Sequence, residues 1–283
     1  MQIFRVPTVL MFALLAACRN APTPATTTER LVIAGAGLAE AVAALGAADR
    51  VIAVDRTART LAPFAGLPDV GMPQQLSADG ILALAPTAVL LGDEAGPDGV
   101  LTQLGDAGIA VERWTTTYTP EDAIARIERL GERLGKVDAA RTLAASLRAR
   151  LADLAPAGAR PRALFLYARG HRVLLAAGAS TAAHAMLERA GFDNIFKDID
   201  GMKPIDAEAV VARDPAVIIM PTKSLESLGG LDGVLALPGV AKTRAAAAGR
   251  VITAPDLALL GFGPGMIDAL EVLVSARAGL PIQ

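Results

Sequence analysis

Short apolar runs punctuate the chain at residues 31–34, 51–54, 88–91, 109–114, 162–168, 217–220 and 250–254. They are rich in Val, Ile and Leu and bounded by Gly, Pro or charged residues, which predicts buried strands. Between them apolar residues recur at steps of three and four, over 38–45, 81–84, 100–107, 181–190, 231–236 and 266–278, the spacing of helices with one buried stripe. Strand and helix alternate, so the pattern predicts an α/β fold with parallel sheets.

One stretch is longer than the rest. From Pro120 to about Leu154 the apolar residues Ile124, Ile127, Leu130, Leu134, Val137, Leu143, Leu147, Leu151 and Leu154 keep a single stripe. Thr119 can cap it, Pro120 suits the first turn, and Glu121 and Asp122 complement the dipole. Gly131 and Gly135 leave room for a bend or break, but unbroken the stretch is a rod of roughly 50 Å at about 1.5 Å per residue.

The rod separates two halves that share a pattern. Gly71-Met72 leads into Ser77-Ala78-Asp79, a short helix, Pro86 and the 88–91 run; Gly201-Met202 leads into Asp206-Ala207-Glu208, a short helix, Pro215 and the 216–220 run. Two similar α/β units predict two lobes facing each other, with the function between them. The expected units are a first lobe at 30–118, a spanning helix at 119–155 and a second lobe at 156–283.

The first residues read differently. Arg5 precedes an apolar stretch from Val6 to Ala17, too short for the ~30 Å of a bilayer core, which ends at Leu15-Ala16-Ala17-Cys18. This resembles a bacterial lipobox; the expectation is a signal at 1–18, lipidation of Cys18, the only cysteine, and an Ala/Pro/Thr-rich tether at 19–29. The protein would then be exported, to the periplasm or the outer face of the cytoplasmic membrane. A plain signal peptide with an incidental Cys18 is the alternative. Across all 283 residues the net charge is −2, with no basic footprint for nucleic acid. Hydrophobic residues make up 53%, mostly Ala, Leu and Val, which suits strands buried on both faces.

Gly35-Ala36-Gly37 after a strand, with Asp55 about 20 residues on, approaches a dinucleotide fingerprint, though Glu40 fills its third glycine position. An NAD-binding enzyme is therefore one reading; glycines serving a tight strand-to-helix turn are the other. No catalytic triad, thiol nucleophile or clustered His/Cys site accompanies it.

Five segments together resemble the haem-binding subgroup of the helical-backbone (class III) substrate-binding proteins of ABC importers. They are Leu67-Pro68-Asp69-Val70-Gly71, the 76–87 helix–proline unit, Ala176-Ala177-Gly178, Leu237-Pro238-Gly239-Val240 and Ala258-Leu259-Leu260-Gly261-Phe262-Gly263-Pro264. The resemblance runs from about Arg30 to the C-terminus. It implies two Rossmann-like lobes joined by a long backbone helix, haem as transported ligand, no catalysis and no catalytic cofactor. It also implies a monomer that meets an ABC permease and its ATPase through one acid on each lobe, here Asp79 and Glu208.

The ligand site departs from the family's pattern. Met72 stands where relatives carry a tyrosine after the Asp-Val-Gly run, and Met202-Lys203 replaces a Tyr-Arg pair. A thioether is a soft ligand, poorly matched to ferric iron. Three readings stay open: Tyr167 or His171 binds the iron; Met72 and Met202 form a soft pair; or the cargo is another chelate, cobalamin or a ferric siderophore, that needs no protein ligand. Met72 and Met202 also suit a plain apolar wall. Lys203 and Arg172 are candidates to pair with carboxylates such as haem propionates, and Trp114 to stack on a flat ring. His184, on a helix, reads as a satisfied histidine.

Overall fold

The computed structural model describes residues 29–156 and 158–280. Cys18, the expected signal and nearly all of the tether lie outside the described residues. None of the described helices is long and apolar enough to cross a membrane.

The first lobe is a four-stranded parallel sheet in the order β2-β1-β3-β4: β1 Leu31–Ala34, β2 Val51–Val54, β3 Ala88–Leu91 and β4 Ala110–Arg113. Every residue of β1 and β3 is buried, as solid apolar runs require of a sheet covered on both faces. Leu31, Ile33 and Leu90 pack with helix α1 (Ala36–Ala44), while Val32, Val89 and Leu91 pack with α2 (Ala78–Leu82) and α3 (Asp98–Asp106).

The long stretch is two helices, not one rod. α4 (Pro120–Arg133) ends at Leu134, Gly135 takes a φ of 64° that other residues avoid, and α5 (Val137–Asp153) runs back along it. Glu128 on α4 pairs with Arg148 on α5 at 2.6 Å, and Gly131 admits Ala140 to close contact. The ~50 Å spine is thus corrected to an antiparallel hairpin whose second arm, about 25 Å at 1.5 Å per residue, bridges the lobes. Arg50 of the first lobe donates to the Leu134 carbonyl at the turn, and Arg150 near the far end pairs with Asp268 and Glu271 of the second.

The second lobe holds β5 (Arg162–Arg169), β6 (Val173–Ala177), β7 (Asp193–Asn194), β8 (Met202–Pro204), β9 (Val217–Pro221) and β10 (Val251–Ala254), in the order β10-β9-β5-β6-β8 with β7 beside β5. The helices that follow in sequence are α6 (Ala182–Arg189), α7 (Ala207–Arg213), α8 (Thr222–Ser227), α9 (Leu231–Leu235), α10 (Arg244–Ala247), α11 (Asp256–Leu260) and α12 (Met266–Ala278). This sheet is mixed, which corrects the expectation of two parallel sheets. The chain reverses at Gly170-His171-Arg172, so β6 lies antiparallel to β5 and β8 antiparallel to β6.

The shared pattern of the two halves is structural. α2 and α7 occupy equivalent places before β3 and β9, capped by Ser77 (accepting from the Gly80 N–H) and Asp206 (accepting from the Glu208 N–H). One hydrophobic cluster runs from Leu31 and Leu90 through Ile124, Ile127 and Leu147 to Phe165, Ile219 and Leu270, so the lobes and the hairpin share a core.

Candidate functional site

Ligands of open α/β sheets sit beyond the carboxyl ends of the strands. In the first lobe those ends deliver Gly35 after β1, Asp55 after β2, Gly92-Asp93-Glu94 after β3 and Trp114 after β4; in the second they deliver Arg169 at the end of β5, Lys223 beyond β9 and Asp256 beyond β10. Glu94 joins the two sets. Its side chain reaches solvent, yet the surrounding walls raise its carboxyl by desolvation, with the Asp93 and Asp55 charges adding to the rise. The Glu94 charge adds to the rise of the phenols of both Tyr118 in the first lobe and Tyr167 in the second.

Tyr167 carries the more elaborate surroundings. The Arg169 guanidinium lies over its ring at 4.6 Å from the centroid, with one nitrogen 3.7 Å from Asp256 Oδ1; Asp256 Oδ2 in turn accepts from the Lys223 N–H. Burial pushes the Tyr167 phenol up, Arg169 pulls it down, and Asp256 and Glu94 push it up again. Chemically this is a half-buried phenol that its surroundings keep protonated and that direct coordination to a metal would convert to phenolate.

The other expected residues are spread more widely. Met72, 36% exposed, follows Gly71, whose N–H donates to Asp69 Oδ1 and whose carbonyl accepts from the Arg56 N–H. Two residues on, Gln74 donates to Glu94 at 2.6 Å, which ties the Met72 loop to the cleft. Burial opposes ionisation of Asp69, but the Gly71 N–H and the Arg56 and Arg59 guanidinium groups outweigh it and hold the carboxyl low. Met202 lies on edge strand β8 opposite Ala177, on the face that packs the main core and one register step deeper than Tyr167; Lys203 is exposed beside it. His171 and Arg172 are exposed at the β5–β6 turn. Trp114 is half-buried against the main core, its backbone N–H donating to the Leu91 carbonyl, while its buried indole nitrogen has no partner among the described residues. His184 bonds Asn194 at 3.2 Å, away from these groups in the chain fold, as a satisfied histidine. Asp79 and Glu208 are exposed in the first turns of equivalent helices, and neither has an ion-pair partner among the described residues.

Asp55 disposes of the dinucleotide reading. It is fully buried, with Oδ2 accepting from the Gly35 N–H at 2.7 Å and Oδ1 from the Thr57 and Ala58 N–H groups at 2.7 and 3.1 Å, and from the Thr57 hydroxyl. A carboxylate fully buried and held on both oxygens by its own lobe is out of reach of a ribose. Glu94, Tyr118, Arg169 and Asp256 were not singled out by sequence pattern. Arg126 was also passed over, yet it left a trace: a charged residue among Ala123, Ile124, Ile127 and Leu130 on the apolar side of α4, and it is 3% exposed.

Comparison with known proteins agrees with this geometry. The sequence profile described as "Periplasmic binding protein" matches residues 31–258. The apo form of the periplasmic heme-binding protein RhuT from Roseiflexus sp. RS-1 is similar at a TM-score of 0.80 and 36% identity, covering 88% of this chain and 99% of that one. The periplasmic heme-binding protein BhuT in complex with two hemes gives 0.79 and 33%, covering 88% and 98%. A cobalamin-binding protein of Halobacterium salinarum is 28% identical over 261 residues, 88% of this chain and 69% of the relative. These relatives are binding proteins, and this chain is a carrier, not an enzyme. With two lobes, a helical bridge and a family match across both lobes, the chain belongs to the periplasmic binding protein family.

Proposed function

We propose that the chain captures haem between its lobes and hands it to an ABC permease driven by its ATPase, after export and lipidation at Cys18. The observation that carries this reading is Tyr167, a half-buried phenol at the carboxyl edge of β5 with Arg169 stacked on its ring, in a fold shared with heme-binding proteins at 33–36% identity. Phenolate is a hard anion suited to ferric iron, and the adjacent guanidinium favours the ionised form. Tyr167 is the axial ligand in this reading, and Met72 supplies apolar wall. Exposed Arg172 and Lys203 on the second lobe suit the propionates, which the Glu94 side of the cleft would repel. Asp79 and Glu208, one per lobe and without partners, are the permease contacts; their spacing across two lobes fixes orientation.

The cobalamin-binding relative supports a second reading, in which a corrinoid, whose metal needs no protein ligand, fills the same cleft. Titration of the purified protein with haemin, cobalamin and a ferric siderophore, followed by absorbance, separates the two. Haemin is expected to give a shifted Soret band and a phenolate-to-iron charge-transfer band, and Tyr167→Phe to abolish the latter. Binding of cobalamin with no response to haemin overturns the haem assignment, and a charge-transfer band that survives in Tyr167→Phe overturns the ligand.

A further inference from the structure

The segment Gly261-Phe262-Gly263-Pro264-Gly265 joins α11 to α12 in the second lobe, and beyond its contacts with those helices it packs on the first lobe. Gly37 of α1 lies so close that a Cβ there would stand 1.8 Å from the Gly261 carbonyl oxygen and 2.9 Å from the Gly263 nitrogen. The buried Arg126 of α4 donates through Nη2 to the Phe262 carbonyl at 2.8 Å and through Nη1 to the Trp114 carbonyl at 3.2 Å. Tyr118 meets the Phe262 ring edge-on at 5.4 Å between centroids. Glu40 of α1 accepts from the Gly265 N–H at 3.1 Å, at the start of α12, while its other oxygen is buried without a partner against Gly263.

Two features of this seam set it apart from ordinary packing. Both polar side chains spend hydrogen bonds on main-chain groups of the opposite lobe, which fixes backbone position and not merely side-chain orientation. Each is also costly to bury: Arg126 Nε and Glu40 Oε2 have no partner among the described residues. Apolar residues of similar size would hold the lobes together without that cost. What the polar pair adds is a defined separation and angle, because a carbonyl or N–H accepts only a narrow range of geometry.

We propose that Arg126 and Glu40 are positioning residues that, with the side-chain-free surface of Gly37, fix the second lobe's 261–265 segment on the first lobe and so set the width of the cleft before cargo arrives. Tyr118 and Phe262 connect the seam to the cleft, so a displacement of the segment moves the cleft wall. The inference rests on the cleft being the binding site, but on no particular cargo. It also assigns Gly37 a role that the dinucleotide fingerprint obscured: its missing side chain admits another lobe's backbone, not a phosphate.

The test measures lobe separation without cargo. Spin labels on Gln103→Cys in α3 and Lys242→Cys beyond β9, in a full-length background carrying Cys18→Ala, report the inter-lobe distance by electron double resonance. Gly37→Ala must push its new Cβ from 1.8 Å to no less than 3.0 Å from its neighbours, so the mean distance is expected to change by about 1 Å or more at the labels, and the distribution to broaden. Arg126→Met and Glu40→Ala are expected to broaden it, whereas Glu40→Gln, which keeps an acceptor for Gly265, retains the wild-type distribution. Haemin dissociation, followed by transfer to apomyoglobin, should accelerate in Gly37→Ala and Arg126→Met and stay unchanged in Glu40→Gln. Wild-type mean and width in folded Arg126→Met and Glu40→Ala overturn the proposal, even if Gly37→Ala fails to fold. Broadened distances with no haemin binding in the parent leave the seam standing and defeat the haem assignment instead.

Discussion

Removing the Asp55 carboxylate should destabilise the first lobe far more than it alters binding. The side chain is fully buried and holds three backbone N–H groups, those of Gly35, Thr57 and Ala58, together with the Thr57 hydroxyl. It therefore ties the turn after β1 to the turn after β2, the two turns that shape the lobe's carboxyl edge. In Asp55→Ala the three backbone donors lose their acceptor at about 1–3 kcal/mol each. Water entering the small space returns part of this, which leaves a loss of roughly 4 kcal/mol, a large share of the typical ~5–15 kcal/mol of a folded chain. At about 2–4 °C per kcal/mol for a chain of this size, the melting temperature should fall by on the order of 10 °C. Asp55→Asn keeps one acceptor oxygen but sets an amide donor against an N–H, and should lose about half as much. Urea unfolding followed by circular dichroism checks both, with a lower midpoint and an unchanged slope as the expected signature. A loss below about 1 kcal/mol in both variants would refute the reasoning, because the carboxylate would then not be structural. Enhanced nicotinamide fluorescence on adding NADH to the wild type, lost in Asp55→Asn, would do the same and restore the dinucleotide reading.

Burial raises the Glu40 carboxyl, the Gly265 N–H opposes this, and Asp268 adds to the rise; its stabilising contribution is thus complete below the ordinary carboxyl value and is lost as pH rises through the raised one. Wild type should lose stability relative to Glu40→Gln as pH increases over that window, and parallel pH–stability curves for the two proteins would contradict this. Asp79→Lys with Glu208→Lys reverses both exposed charges without touching a residue assigned to the cargo; cargo affinity should stay within about twofold, while delivery to permease-containing vesicles should drop and become less salt-sensitive. Unchanged delivery would remove the docking role.

Which parts of the molecule were legible in sequence follows from what each kind of pattern encodes. The buried strands were readable because β1, β3 and β9 are covered on both faces, so that every residue is apolar and no ambiguity of register enters. The antiparallel part of the second sheet was not, since β6, a Val-Leu-Leu-Ala-Ala run directly after a tight turn, is absent from the runs read as strands, and it is the strand that reverses the sheet. The α4–α5 hairpin kept an unbroken apolar stripe because each arm turns that stripe toward the same core; periodicity records the buried face and is blind to a reversal at Gly135. Tyr167, Trp114 and Met72 could be singled out because they lie near strand ends or follow a recognisable turn. Glu94, Tyr118 and Asp256 come from irregular segments that carry no period at all. Gly37 was read as a turn glycine, although it is Gly35, with its φ of 142°, that makes the turn; contacts between residues more than 200 positions apart leave no mark on local pattern.

The single apolar cluster that passes through both lobes and the hairpin changes what the internal duplication means. Each half has its own sheet, capped helix and acidic residue in that helix's first turn. Each half keeps a smaller core on one face of its sheet, but the largest interior is shared, since residues such as Ile127 and Leu270 complete a surface begun on the other side. A fragment ending before α4 would leave a bare oily flank where its partner belongs, and would be expected to clump or to recruit a complementary fragment. The twins have become organs of one body.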